Sequence, residues 1–237
     1  MGRGRGATRY AAALALGLAL AACGREAAAP TPAASPSATP QAAAARPIGR
    51  ERVVLAFGDS LYAGYGVARG QSLPDAIEAR LRAKGINATL VNAGVSGDTS
   101  AAGRQRLAFV LDNMKIPPEL VMLGLGGNDV LRQIPAAETR ADMTAMMDEL
   151  ARRKLPVVLT GMRAPPNLGP DYVRAFDGIW PDLARRYGAT VYPFILDGVI
   201  GDPALMQADR VHPNAAGIAR IADRLTPVVA KRLGADE

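Results

Sequence analysis

Five short apolar runs, separated by longer helical patterns, constrain the fold of this chain more than any other feature. Each run has four to six residues and is mostly continuous in hydrophobicity, which is typical of parallel strands buried on both faces. The five runs are Val53–Phe57, Thr89–Asn92, Leu120–Leu125, Val157–Thr160 and Thr190–Phe194. We therefore expect a parallel sheet covered by helices on both sides.

Helical patterns fill most of the intervals between these runs and the end of the chain. The predicted helices are Leu73–Lys84, Ser100–Met114, Ala137–Lys154, Tyr172–Tyr187 and Asn214–Leu233. This order of strands and helices predicts right-handed crossovers and a three-layer α/β/α sandwich. In such a sheet, ligands bind beyond the carboxyl ends of the strands, so the segments after the strands are the candidate site.

Unusual polar segments follow all five predicted strands. In chain order they are Gly58–Leu61, Ala93–Asp98, Gly126–Asp129, Met162–Asn167 and Asp209–Pro213. The carboxyl ends of parallel strands lie at one edge of a sheet, so we expect these segments to come together there. Their coincidence at one edge indicates a functional site more strongly than any single segment does.

A serine, a histidine and an aspartate in these segments suggest nucleophilic catalysis. A serine hydroxyl attacks only when a base removes its proton, and His212 is the only histidine in the chain. Asp209 stands three residues before it, a spacing that brings carboxylate and imidazole together on one helical turn. The alternative is structural: Ser60 would cap a helix, as would Asp209 or Asn214.

Two further residues could stabilise an oxyanion. A backbone N–H at Gly94 and the side-chain amide of Asn128 are donors of the required kind. The alternative is that both residues simply form turns after strands. Gly124–Gly127 matches neither common phosphate-loop spacing. The adjacent acids Asp59 and Asp129 either support these residues or stabilise their own loops.

Together, the segments Gly58-Asp59-Ser60-Leu61, Gly94, Gly126–Asp129 and Asp209-x-x-His212 resemble the four sequence blocks of the SGNH-hydrolase, or GDSL esterase/lipase, family. The nearest resemblance is to its bacterial periplasmic acyl-thioesterase, lysophospholipase and arylesterase group. The resemblance implies a flavodoxin-like five-stranded parallel sheet in the order 2-1-3-4-5. Residue 62 is Tyr, so the serine is not in the G-x-S-x-G elbow of the common α/β-hydrolase fold.

The resemblance also implies the role of each residue. Ser60 would be the nucleophile, His212 the general base and then acid, and Asp209 the residue that orients His212. The oxyanion hole would be the N–H groups of Ser60 and Gly94 with the amide of Asn128. No metal or cofactor is expected.

The expected substrates are carboxylic esters of short to medium chain, with lysophospholipids next, and aryl esters and thioesters also within the range of the family. A carbohydrate O-acetylesterase of the same fold is the alternative among enzymes. A lipid-tethered binding module without catalysis is the alternative from another class. The loop Arg163–Pro170 either lines the acyl cleft or is a stiff connection, and one sequence does not fix the acyl length.

The first 22 residues have the features of a secretory signal. Three arginines precede Ala11–Ala22, an apolar run that is shorter than the about 20 residues needed to cross a bilayer. Leu20-Ala21-Ala22-Cys23 resembles a bacterial lipoprotein box, which implies cleavage before Cys23 and a lipid on its sulfur. The next residue is Gly24, whereas an Asp at this position would suggest retention in the inner membrane. We therefore expect an exported lipoprotein, anchored in the periplasm with the outer membrane favoured, or on the cell surface.

Residues 23–49 then form an Ala- and Pro-rich linker, and 50–237 the catalytic domain. Three of the 28 basic residues leave with the signal, so 25 basic residues face 22 acidic ones and the charge falls from +6 to +3. No basic run suggests nucleic-acid binding. One Cys and one His exclude an internal disulfide, a thiolate-rich zinc site and a multi-His metal site. We expect a monomer whose partners are an ester substrate and a membrane.

Overall fold

A five-stranded parallel sheet lies at the centre of residues 47–234, which are the residues that the computed structural model describes. Its strands are β1 (Arg52–Gly58), β2 (Ala88–Gly94), β3 (Leu120–Gly124), β4 (Val157–Thr160) and β5 (Thr190–Tyr192). Their order across the sheet is β2-β1-β3-β4-β5 and all neighbouring pairs are parallel. The predicted fold class and strand order are therefore confirmed. The signal, Cys23 and most of the linker lie outside the described residues.

Eight helices flank this sheet within the described part of the chain. They are α1 (Ser60–Ala63), α2 (Leu73–Ala83), α3 (Ser100–Asp112), α4 (Gly127–Leu131), α5 (Ala136–Arg152), α6 (Pro170–Asp177), α7 (Ile179–Tyr187) and α8 (Ala215–Arg232). Helix α2 packs against α8, whereas α3 and α7 pack against α5. Right-handed crossovers place these two groups on opposite faces, because the chain reverses direction across the sheet after β2. Between residues 47 and 234, no helix is long and apolar enough to cross a bilayer.

Two elements differ from the sequence prediction. The helix expected over Tyr172–Tyr187 is two helices, α6 and α7, which meet at Gly178. Pro181 has no N–H to donate to the carbonyl four residues earlier, so a continuous helix would lose a hydrogen bond there. The short helix α4 has five residues, too few to show a helical period in the sequence.

Three glycines end the first three strands and make room for one buried tyrosine. A Cβ added at Gly58 or Gly124 would lie 2.5 or 2.4 Å from ring atoms of Tyr62, and one at Gly94 would lie 2.8 Å from its Cβ. The Tyr62 hydroxyl is 2.9 Å from Oγ1 of Thr160, the last residue of β4. Burial raises the pKa of this phenol. Tyr62 therefore fills the space where the ends of four strands converge.

Candidate active site

Ser60 and His212 meet at the carboxyl edge of the sheet. Ser60 is the first residue of α1, two residues after the end of the interior strand β1, and its Oγ lies 2.8 Å from Nε2 of His212. Asp59 caps this helix, since its side chain accepts a hydrogen bond from the N–H of Leu61. The strand thus delivers the serine hydroxyl to the imidazole across 152 residues of sequence.

Asp209 contacts the other nitrogen of the same ring. Its Oδ2 lies 2.7 Å from Nδ1 of His212, while its Oδ1 accepts from the N–H groups of Val211 and His212 at 2.9 and 3.0 Å. These bonds, the backbone one from His212 first, lower the pKa of Asp209 to about 2. The carboxylate is therefore ionised at neutral pH and keeps the proton of His212 on Nδ1.

The pairing of Asp209 with His212 does not arise on a helical turn, as the spacing had suggested. The segment is an irregular turn in which the aspartate side chain bonds to the next N–H groups, and Arg210 has a φ of 58°. A left-handed residue between the two brings the carboxylate back toward the ring. The helix begins later, at Ala215, where Asn214 caps it as the structural alternative expected.

Gln207 fastens this turn to the rest of the site. Its N–H donates to the carbonyl of His212 at 2.8 Å. Its side-chain amide donates to the carbonyls of Tyr65 and Pro213 at 2.8 and 3.0 Å. The ring of Tyr65 lies over the imidazole of His212, with centroids 4.5 Å apart and planes at 39°. The sequence analysis missed Tyr65, because no local pattern links it to a histidine so far along the chain.

Asn128 lies in α4, just after β3, and lines the same cavity as Ser60. Its Nδ2 donates to the carbonyl of Asp98 at 2.9 Å. A primary amide has two N–H donors, so this bond orients the group and leaves one for a ligand. Gly126 before it has a φ of 101°, and a Cβ there would lie 2.8 Å from Trp180. Glycine at this position lets the chain turn sharply from strand into α4.

The N–H of Gly94, which was expected to be a donor of the oxyanion hole, has another partner. This N–H already donates to Oδ1 of Asn92 at 2.9 Å. A Cβ at this position would lie 2.3 Å from the backbone nitrogen of Ala63. Close approach of α1 to the end of β2 therefore accounts for a glycine here without an oxyanion role. The next glycine of the loop, Gly97, has a φ of 89° and adjoins Asp98, the residue bonded to Asn128.

Two buried acids stand directly beside Ser60 and Asn128. Asp129 is fully buried and accepts hydrogen bonds from both the N–H and the hydroxyl of Ser100 and from Oγ1 of Thr139. Asp59 is 2% exposed, and burial raises its pKa from 3.8 to about 6. The carboxyl of Asp129 thus joins α4 to α3 and α5, whereas that of Asp59 faces an environment with far fewer donors.

Arg106, which the sequence analysis also missed, ties three segments of the site together. Its guanidinium pairs with Asp98 at 2.6 Å and donates to the carbonyls of Ala93 and Gly58 at 2.8 and 2.9 Å. It lies 3.9 Å from the ring centroid of Phe57. The carbonyls belong to the ends of β2 and β1, so one side chain fixes the loop beside Asn128 to the strand that carries Ser60.

A cavity of about 450 Å³ opens beside Ser60 and His212. Its walls are mainly apolar, with Leu61, Val130, Leu131, Met162, Phe194, Leu196, Ile200 and Val211 among the lining residues. The first residues of the loop Arg163–Pro170 also line it, as far as Pro166, which favours the acyl-cleft interpretation of that loop. Within residues 47–234, no three His, Cys, Asp or Glu side chains are placed to hold a metal ion.

Comparisons with known proteins identify one family. The model of the GDSL-like Lipase/Acylhydrolase family matches residues 56–220. The crystal structure of AlinE4, described as an SGNH-hydrolase family esterase, is 53% identical, with a TM-score of 0.67 over 78% of this chain and 97% of that one.

Two curated relatives carry related names. Esterase TesA of Pseudomonas aeruginosa is 36% identical over 178 residues, which are 75% of this chain and 88% of TesA. The thioesterase 1/protease 1/lysophospholipase L1 of Escherichia coli K12 is 33% identical over 180 residues, 74% of this chain and 84% of that protein. The chain is thus an ester-bond hydrolase and belongs to the GDSL-like lipase/acylhydrolase, or SGNH-hydrolase, family.

Proposed function

We propose that this esterase works through an acyl-enzyme on Ser60, with His212 as base and Asp209 as the residue that orients it. The single observation that supports these roles is the continuous chain of hydrogen bonds from Ser60 Oγ to His212 Nε2, and from His212 Nδ1 to Asp209 Oδ2. In this arrangement one imidazole nitrogen faces the nucleophile while the other is held by a carboxylate, as general-base catalysis requires.

The reaction follows from these contacts. Ser60 Oγ attacks the ester carbonyl carbon as its proton passes to Nε2 of His212, and Asp209 stabilises the imidazolium that forms. The tetrahedral intermediate collapses when His212 gives the proton to the departing alcohol or thiol. A water molecule then attacks the acyl-enzyme with the same base, which releases the acid and restores Ser60.

The oxyanion would bind to the N–H of Ser60 and the free N–H of the Asn128 amide. Because the Gly94 N–H is already bonded to Asn92, we assign the third donor to the loop that follows, at Gly97. In the described part of the chain the Gly97 N–H has no hydrogen-bond partner, and Arg132 donates to the carbonyl of the same residue at 2.8 Å. Each donor of this kind contributes about 10²–10³ to the rate.

The cavity supports an ester with an apolar acyl group as the substrate. About 450 Å³ of mainly apolar space suits a short to medium chain, and the relatives' names include esterase, thioesterase and lysophospholipase. An acetyl group would leave most of that space empty, so a carbohydrate O-acetylesterase is the less favoured candidate. Simple carboxylic esters and lysophospholipids fit the cavity better.

We also propose that the chain is exported and tethered to a membrane by a lipid on Cys23, with residues 24–49 as the spacer. The support is the sequence alone: a short apolar segment that ends at the only cysteine. Replacement of Cys23 by Ala should release the protein from washed membranes without changing hydrolysis of soluble esters. A Cys23→Ala protein that stays with the membranes in detergent-free buffer would contradict the tether.

The test of the catalytic assignment is hydrolysis of p-nitrophenyl esters from acetyl to palmitoyl by the full chain in detergent. Wild type should show an optimum at short to medium length, and Ser60→Ala should be inactive at every length. Thr144→Ala, which removes a hydroxyl bonded only within α5, serves as the matched control and should keep wild-type rates. Turnover by Ser60→Ala, or none by folded wild type, would overturn the proposal.

A further inference from the structure

Two arginines, Arg163 and Arg210, line the same cavity as Ser60 and His212. Both are exposed, and neither forms an ion pair with any carboxylate of residues 47–234. The Arg163 guanidinium lies 5.5 Å from the ring centroid of Phe194, another residue of the cavity wall. Two cations at a mainly apolar cavity are therefore available to a ligand.

The acids of the adjoining segments are already engaged elsewhere. Asp177 accepts from the N–H of Ala164 at 2.8 Å, and Asp202 from that of Ala204 at 2.9 Å. Asp197 pairs with Arg224 at 2.9 Å, and Asp209 is bonded to His212. None of these carboxylates neutralises the two arginines of the cavity.

The backbone conformation of Arg210 also supports a role for its side chain in the cavity. Its φ of 58° is a left-handed conformation, which a glycine adopts freely and a long side chain adopts only at a cost. The turn between Asp209 and His212 would accommodate glycine at this position with less strain. An arginine here instead places a guanidinium two residues from His212, on the wall of the cavity.

The charge of the cavity is positive on balance. Apart from His212, its charged lining residues are Arg163, Arg210 and Asp59. The Asp59 carboxyl is buried and accepts a hydrogen bond from the N–H of Leu61, so two exposed guanidinium groups outnumber one enclosed carboxyl. A second depression, of about 720 Å³, adjoins the first at Ile200 and Arg210. Arg210 therefore lines both the apolar acyl space and this second depression, which is also lined by Asp202.

We propose that Arg163 and Arg210 form an anion subsite, and that this esterase selects substrates whose alcohol part carries a phosphate or carboxylate group. The inference rests on the proposed function, since it assigns the acyl group to the apolar cavity and the charged group to its arginine-bearing rim. A guanidinium binds either anion through paired N–H donors, so both chemistries are candidates for the same subsite.

The test compares esters that share an acyl group but differ in charge. The carboxylate arm uses 4-butyryloxybenzoate against its methyl ester, and the phosphate arm uses lysophosphatidate against monoacylglycerol with the same acyl chain. The measured quantity is the ratio of kcat/KM for the anionic ester to that for the neutral one. The variants are Arg163→Gln, Arg210→Gln and the double replacement. Arg220→Gln, at an exposed arginine of α8 that does not line the cavity, is the matched control.

We expect the ratio to fall about tenfold or more in the double variant, as lost hydrogen bonds to a charged group predict, and to stay constant in the control. A fall in only one arm would support the subsite and identify its anion as phosphate or carboxylate. An unchanged ratio in both arms would overturn the inference. Arg210→Gly, which relieves the left-handed strain, gives the same measurement if Arg210→Gln does not fold. Wild type inactive on both the anionic and the neutral esters would instead contradict the proposed function.

Discussion

The two halves of the active site are built in different ways. The strand half, Asp59–Ser60 and Asn128–Asp129, stands on short helices directly after the central strands β1 and β3, and both of its acids are buried. The turn half, Asp209–His212, lies in an irregular segment between β5 and α8, and the Asp209 side chain is 39% exposed. The strand register fixes the first half. The second is fixed by side-chain hydrogen bonds to the backbone.

This difference shows what positions the catalytic side chains in each half of the site. Parallel pairing sets Gly58 opposite Gly124, so the segments carrying Ser60 and Asn128 leave the sheet at the same level. His212 is not in a strand of the sheet, and only an isolated antiparallel bridge between Met206 and Pro213 adjoins it in the described residues. The place of His212 depends on Asp209, Gln207 and the ring of Tyr65. We therefore expect both halves to be equally necessary for chemistry but unequal in what supports them.

The largest expected effect comes from removing one reactive group from each half. Ser60→Ala and His212→Ala should each lower kcat on the order of 10⁶-fold, and the double variant should be no worse than either single one, because the two groups act as a unit. Steady-state kinetics on a p-nitrophenyl ester measures all three. Effects that multiply in the double variant would mean that the halves contribute independently.

The next largest loss of activity is expected in the turn half, when Asp209 no longer orients His212. Asp209→Asn keeps the shape but lets His212 take the wrong tautomer, so kcat should fall about 10⁴-fold. Asp202→Asn is the matched control and should stay near wild type, because the Asp202 side chain accepts a hydrogen bond from the N–H of Ala204 and does not contact His212. Equal losses in the two variants would indicate general disruption of the segment instead of a specific effect on His212.

A smaller effect is expected at the oxyanion donor of the strand half. Asn128→Ala should lower kcat about 10²–10³-fold with little change in KM, because the donor acts mainly in the transition state. Asn113→Ala, which removes an amide at the exposed end of α3, provides the control. A loss confined to KM would assign Asn128 to ground-state binding.

The smallest effect concerns the stability of the fold. It follows from the burial of Asp59 in the strand half, in contrast to the partly exposed Asp209 of the turn half. Asp59 has a folded-state pKa of about 6 against an ordinary value of 3.8, so ionisation costs the folded state stability as pH rises through this interval. The difference corresponds to roughly 3 kcal/mol. Asn cannot ionise. Between pH 4 and pH 7, the free energy of unfolding of Asp59→Asn should therefore rise relative to that of wild type by up to this amount. Urea unfolding at both pH values measures it, and a constant difference would contradict the raised pKa.

The sequence predicted the fold well because buried parallel strands leave a continuous apolar signal that survives any change in the loops. It also predicted that Ser60, Asn128, Asp209 and His212 would come together, since each follows a strand or precedes the last helix at the same edge. Element order and chemistry sufficed for these two predictions, whereas the strand order 2-1-3-4-5 and the role of each residue came from the resemblance to a known family.

Other features depend on contacts that no local pattern encodes. Gly94 was expected to donate to an oxyanion, whereas the approach of α1 accounts for it. Arg106 and Tyr65 act across distant segments, and the left-handed conformation of Arg210 arises only within the folded turn. The break before α7 was visible in principle, because Pro181 removes a helical donor.

The tyrosine enclosed by three strand-ending glycines has a consequence for the history of the site. An alanine at Gly58 or Gly124 would collide with the Tyr62 ring, and a smaller side chain at position 62 would leave a void beneath the nucleophile. A smaller residue at position 62 would not make room for either alanine, because a Cβ at Gly58 would still lie 2.6 Å from the carbonyl oxygen of Gly124 and one at Gly124 would lie 2.3 Å from Oγ1 of Thr160. We therefore expect both glycines to persist among descendants of a common ancestor even where Tyr62 is replaced, and directed evolution to find them closed to change with or without a second substitution at position 62.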